Sequence, residues 1–175
     1  MDIAGLICVL EQEEKPAAVD NVLEEFGVQH NAGVFNCVAW RYEYGKGFPK
    51  DLAAAARWFR KSAEQGDFNA GATAAWILAT SMEPKTRDGP AAVSLAETAV
   101  DATHRKSAPH LDILAAAYAE TGAFEKAART EKEAMTFATT EAARNKYGER
   151  LKLYESKSPY HDPRGVVPNL WPAEK

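Results

Sequence analysis

Three groups of residues have the types that could support chemistry. Gly45-Lys46-Gly47 carries the glycines and lysine of a phosphate-binding loop. Such a loop needs Gly-x-x-x-x-Gly-Lys-Ser/Thr after a strand, so that successive backbone N–H groups cradle the phosphate. That spacing is absent and the preceding residues have helical period, so the stretch reads as a turn. The second group is Cys8, His30 and Cys37, residue types that bind zinc. A zinc site needs three or four converging ligands. None of the histidines (His30, His104, His110, His161) pairs at i, i+4 or lies in a His-Glu-x-x-His frame. No metal and no cofactor are therefore expected. Third, a thiol nucleophile needs a histidine base and an orienting carboxylate. Cys8 lies in an apolar helical stretch and reads as a small core residue, whereas Cys37 reads as accessible. Neither has a sequence neighbour that would activate it.

Composition limits the class further. The chain has 175 residues, enough for one domain with a sizeable core. Hydrophobic residues make up 46% and charged residues 26%, as in an ordinary globular protein. Lys and Arg total 21 against 25 Asp and Glu, a formal charge of −4, which argues against a general nucleic-acid binder. Two cysteines exclude a disulfide scaffold and a four-cysteine zinc site within one chain. The longest apolar run, Ile3 to Leu10, is far shorter than the ~20 residues that span a bilayer. The start, Met1-Asp2, has no Lys or Arg before Lys15 and does not resemble a signal peptide. A cytoplasmic location without membrane contact is expected.

Residues 1–31 carry seven acidic residues against Lys15, a net −6, which leaves +2 for residues 32–175. Ile3, Leu6, Ile7 and Leu10 fall at i, i+3, i+4, i+7, as do Val19, Val22, Leu23 and Phe26. Pro16 suits a first helical turn and Gly27 a stop. An acidic helical hairpin with one apolar face is predicted over 1–31, docked as a cap on the helices downstream.

From residue 32 the chain is rich in alanine, the best helix former, whose small side chain lets helices approach closely. Runs of alternating β-branched and polar residues are absent, so no strand is predicted. Breakers fall at Gly45 to Pro49, Gly66-Asp67, Pro84 to Pro90, Lys106 to Pro109, and Gly122. The segments between them repeat. Tyr42, Leu78 and Tyr118 align at intervals of 36 and 40 residues, each preceded by an alanine three residues earlier: Ala39, Ala75, Ala115. In the following helices Ala55, Ala92 and Ala127 align at 37 and 35. Phe59, Ala96 and Glu131 align four residues on, and Ser62, Ala99 and Ala134 seven residues on. A period of this size with two helices per unit is the mark of an all-α solenoid of stacked antiparallel hairpins. Ala143, Tyr147, Leu151 and Tyr154 make one stripe for a capping helix over 139–157. Pro159, Pro163, Pro168 and Pro172 deny helix to residues 158–175, predicted to be an extended tail dispensable for the fold from residue 161.

Residues 38–66 resemble a Sel1-like repeat, through Tyr42-Glu43-Tyr44-Gly45-Lys46-Gly47, Lys50-Asp51, Trp58-Phe59 and Ala63-Glu64-Gln65-Gly66. Residues 74–138 resemble a bacterial tetratricopeptide (TPR) tandem. Ala75-Trp76-Ile77-Leu78-Ala79-Thr80, Arg87-Asp88-Gly89, Leu95-Ala96-Glu97 and the run Leu111 to Ala127 carry that likeness. Arg150 to Tyr154, followed by Pro159-Tyr160, resembles the closing segment of such proteins. The resemblance implies a 32–138 repeat block of one Sel1-like and two TPR-like units.

In TPR-like units one face of each first helix lines a concave groove. The resemblance places Asn36, Trp40, Glu43 and Tyr44 on that face in the first unit. Thr73, Trp76 and Thr80 follow in the second, and Asp112, Ala116 and Glu120 in the third. Trp40 and Trp76 are then equivalent, either as groove anchors for a partner's apolar side chain or as core between hairpins. The groove is neutral to acidic, which favours a partner with apolar and basic character over a terminal carboxylate. The resulting expectation is a non-catalytic adaptor or scaffold that binds a protein segment. A dedicated chaperone or neutralising partner of one secreted or toxic protein is an alternative. A small hydrolase using Glu43, Asp112, Glu120 and a histidine is an alternative of another class.

Overall fold

The computed structural model describes residues 31–46, 49–163 and Leu170. The N-terminal hairpin expected over 1–31 lies outside these residues but for Asn31, as do residues 164–169 and 171–175 of the tail. The chain divides into two compact units, residues 1–70 and 71–175. Among the described residues the helices are α1 (Ala32–Tyr44), α2 (Leu52–Glu64), α3 (Phe68–Thr80), α4 (Gly89–Ala102), α5 (Ala108–Glu120), α6 (Phe124–Phe137) and α7 (Glu141–Glu155), with a 3-10 turn at Pro84–Thr86. No strand occurs among them; one parallel bridge pairs Ser81 with Asp162. The expected all-α class holds, and successive helices pack as neighbours: α1 on α2, α4 on α5, α5 on α6, α6 on α7.

The helix ends follow local chemistry. Asn31, Asp51, Asp88 and Thr140 each accept an N–H of the first turn of α1, α2, α4 and α7 through the side chain, as N-caps do. Gly45 ends α1 at φ 67, and its N–H donates to the Arg41 carbonyl. A left-handed residue here closes the helix, so Gly45 serves the turn. Two breaker stretches end earlier than predicted. α4 already includes Pro90 and α5 already includes Pro109, because a proline in the first helical turn gives up an N–H that has no helical partner.

In the first unit, Val34, Phe35, Val38, Ala39 and Tyr42 of α1 are buried, as are Ala54, Ala55, Ala56, Trp58, Phe59 and Ser62 of α2. Phe35 meets Trp58 with ring centroids 5.7 Å apart. The Ser62 hydroxyl donates to the Ala32 carbonyl at 2.9 Å, tying the end of α2 to the start of α1.

In the second unit α5 is apolar nearly all round and buried along its length, so it forms the centre. α6 turns Ala127, Thr130, Glu131 and Ala134 inward. Of the aligned positions read from the sequence, Ala39, Ala75, Ala115, Ala55, Ala92, Ala127, Phe59, Ala96, Glu131, Ser62, Ala99 and Ala134 are buried, as are Tyr42 and Leu78, whereas Tyr118 is half-buried.

Two expectations change. α7 buries Tyr147, Arg150 and Tyr154, while Ala143 and Leu151 are only half-buried. The inward stripe is rotated toward Arg150 because that side chain has an ion-pair partner inside. Residues 158–162 are not helical, and they are seated on the second unit. The Asp162 N–H donates to the Thr80 carbonyl at 2.8 Å, Tyr160 packs on the cluster around Ala115, Ala119, Ala127 and Tyr154, and Leu170 is buried.

Candidate functional site

Helical spacing puts Trp40 and Tyr44 one turn apart on α1. Their rings stack, with centroids 5.4 Å apart and planes 12° apart. Trp40 also meets the edge of Phe59 at 5.6 Å and 87°, which fixes its plane against α2. Trp40 is half-buried, and Tyr44 is 50% exposed. Burial, and then the Glu43 charge, raise the Tyr44 pKa, so the phenol stays neutral. Asn36 is half-buried, and its amide donates to Asp67 at 3.4 Å. Glu43 is buried, so it does not present surface charge to a partner. The four residues expected on one face of α1 therefore divide. Trp40 and Tyr44 form an accessible aromatic surface, and Glu43 belongs to the interior.

The face expected in the second unit is mostly closed. Thr73, Trp76, Thr80, Asp112 and Ala116 are all buried. The Thr80 hydroxyl donates back to the Trp76 carbonyl at 2.8 Å. Arg150 and Tyr160 cover Trp76: the guanidinium carbon lies 4.8 Å from each ring, and the two ring centroids are 5.8 Å apart. A guanidinium over aromatic faces is held by cation–π attraction as well as by packing. Trp76 is thus core in this state, whereas Trp40 is not.

Beneath that sandwich is an ionisable cluster drawn from three helices. One Arg150 guanidinium nitrogen donates to both Asp112 carboxylate oxygens, at 2.6 and 2.7 Å. Glu131, fully buried on α6, adds a second carboxyl beside Asp112. Burial first, and then the Asp112 charge, push the Glu131 pKa well above the usual carboxylate range. Burial also raises Asp112, with Arg150 opposing. Burial would lower Arg150, but Asp112 and Glu131 overcome it and hold the cation. The protonated Glu131 acid is the form that can donate to Asp112. Tyr147 and Tyr154 border the group, and burial raises both phenols.

A second polar group lies where the tail meets α5. Glu120 accepts from Arg87 Nε at 2.8 Å through one oxygen and contacts His161 Nε2 at 3.0 Å through the other. Arg87 also donates to the Ser81 carbonyl at 2.8 Å. This brings Glu120 beside a histidine, as the hydrolytic alternative required. Among the described residues no three His, Cys, Asp or Glu side chains converge to hold a metal. Cys37 is half-buried and forms no disulfide among the described residues. His110 is buried, which lowers its pKa, and its Nδ1 lies 2.7 Å from the Ser107 hydroxyl.

Sequence reasoning missed Arg150 and Glu131 as a unit, although a signal existed. Glu131 aligns with Phe59 and Ala96, both core positions, and Arg150 sits three residues after Tyr147 and four before Tyr154. A charge at a core register implies a buried partner. Comparison with known protein families, curated proteins and solved structures returns no match. No described helix is long and apolar enough to cross a membrane.

Proposed function

We propose that the protein is a non-catalytic interaction module, an adaptor or scaffold built as a Sel1/TPR-like helical repeat, acting in the cytoplasm. The observation that carries this reading is the stacked Trp40–Tyr44 pair. Half of the Tyr44 surface is exposed, and Trp40 is held in plane by Phe59. Preorganised aromatic side chains are typical binding hot spots, since they offer large contact area with little left to order. The partner inferred is a protein segment with an apolar anchor and a basic group. With Glu43 buried, the basic preference rests on ring-face attraction to a cation. Asn36, one turn before Trp40 on the same helix, would border the contact.

The hydrolytic alternative draws support from the Glu120–His161 contact, but Arg87 holds the other Glu120 oxygen, and the pair also fastens the tail. A dedicated chaperone would use the same aromatic pair and would differ by holding one partner alone. The test is affinity capture from the source cells followed by mass spectrometry, with binding then measured for Trp40→Ala and Tyr44→Ala. Each should weaken binding of the captured partner by about 2 kcal/mol with little change in the helical circular dichroism signal. Unchanged affinity in both variants would remove the aromatic pair as the binding surface.

A further inference from the structure

We propose that residues 158–162 are a self-ligand. They occupy a peptide seat formed by Trp76, Thr80, Glu120 and Arg150, which takes an extended segment with an aromatic residue followed by histidine or another cationic residue. This goes beyond the aromatic surface of α1 to a second site, and rests on the chain being a binding protein.

Four observations carry it. First, the segment is held as an added strand would be: its Asp162 N–H donates to the Thr80 carbonyl at 2.8 Å, and Asp162 bridges Ser81 in parallel sense. The Thr80 carbonyl is at the end of α3, where helical carbonyls lack an internal partner and accept one from outside. Main-chain bonding of this kind accepts any sequence, and side-chain pockets then select. Second, two adjacent side chains of the segment both reach the seat. Tyr160 is engaged with Trp76 and Arg150, and the adjacent His161 with Glu120.

Third, the seat is held in place by bonds that do not involve the segment. Asp112 fixes Arg150 at 2.6 and 2.7 Å, and Arg87 fixes Glu120 at 2.8 Å. Removing the segment leaves those bonds standing and uncovers Trp76. Fourth, most of the segment is only partly covered: Ser158, Pro159, Tyr160 and His161 are each half-buried, Asp162 at its end is buried and anchors it, and Trp76 beneath is 1% exposed. Lys157, at φ 58, closes α7 in the left-handed conformation of a helix end, its N–H donating to the Tyr154 carbonyl at 3.0 Å and the Ser158 N–H to the Leu153 carbonyl at 2.9 Å, so the helix ends independently of the seated segment.

A tethered occupant competes at high effective concentration, so an external segment binds only when the tether is weakened. The experiment uses the full chain carrying Tyr160→Ala and His161→Ala together. The probe is a fluorescein-labelled peptide with the sequence of residues 157–163, read by anisotropy. The double variant should bind it about tenfold more tightly than the unaltered protein, and the same peptide with its tyrosine replaced by alanine should not bind. Adding Glu120→Gln should weaken the gain. A double variant that keeps its helical circular dichroism but binds no better overturns the proposal. So does one that loses its helical signal, since the segment would then be part of the core. A concentration-dependent dimer of the unaltered protein, dissolved by the double change, would make the occupant a second copy and overturn self-occupancy. Trp40 and Tyr44 are intact throughout, so failure here leaves the α1 surface standing, and failure there leaves this seat standing.

Discussion

Asp112, Glu131 and Arg150 place two carboxyls and one guanidinium in one interior, so their charges balance only if one carboxyl keeps its proton. Removing a single member of a buried pair leaves an uncompensated charge, which costs more than the pair contributes. Arg150→Met should therefore destabilise the protein by about 3–5 kcal/mol. Asp112→Asn together with Arg150→Met should cost less than Arg150→Met alone, since no buried charge is then stranded. Chemical denaturation of the two single variants and the double variant closes the cycle. A double variant as unstable as the sum of the singles would mean that Asp112 and Arg150 do not act as a pair. The contrast between the two tryptophans belongs to the same scale. Trp76 is fixed by an ion-paired arginine and by Tyr160, so its environment comes from residues far along the chain. Trp40 is placed by neighbours on α1 and α2.

Among the elements, the segment after α7 departs most from expectation. Its prolines disfavour helix, and residues 158–163 are not helical, but residues 158–162 still contact α3, α5 and α7. A chain ending at Lys157 loses those contacts, whereas one ending at Pro163 keeps them. The shorter chain should melt about 2–4 °C lower while keeping its helical circular dichroism, the shift for roughly 1 kcal/mol in a chain of this size. Equal melting temperatures would show that the seated segment adds no stability. The α-helices themselves were legible because capping residues, breakers and alanine-rich stretches act locally. Their first turns were less so at Pro90 and Pro109, where proline serves as a helix starter.

At the scale of the whole molecule, the buried carboxyls couple folding to protons. The native Glu131 pKa is raised, so the native state binds a proton that the unfolded chain releases above about pH 4. This contribution to stability is full below the unfolded value and is lost as pH rises through the native one. Asp112 is raised in the same sense. Glu131→Gln keeps a donor for Asp112 without a titrating proton. Its stability relative to the unaltered protein should therefore climb between pH 5 and pH 8, by an amount of order 1 kcal/mol per unit of native shift, read as a rise in relative melting temperature. Parallel melting curves across that range would mean that Glu131 titrates as an ordinary carboxyl.

Helical class, the helix ends away from Pro90 and Pro109 and the inward alanines were determined by the sequence alone, because helical period and capping are properties of neighbours within a turn or two. The repeat register also aligned Glu131 with Phe59 and Ala96, a signal of burial that the sequence reading did not draw. What remained for the tertiary structure was which side chains meet across helices. Asp112 and Arg150 are 38 residues apart, and Glu120 and His161 are 41 apart. No local pattern specifies a pairing at that range; only the packing of α5, α6, α7 and the seated segment does. That packing buried Trp76, because burial is decided by what covers a residue rather than by its own face of the helix.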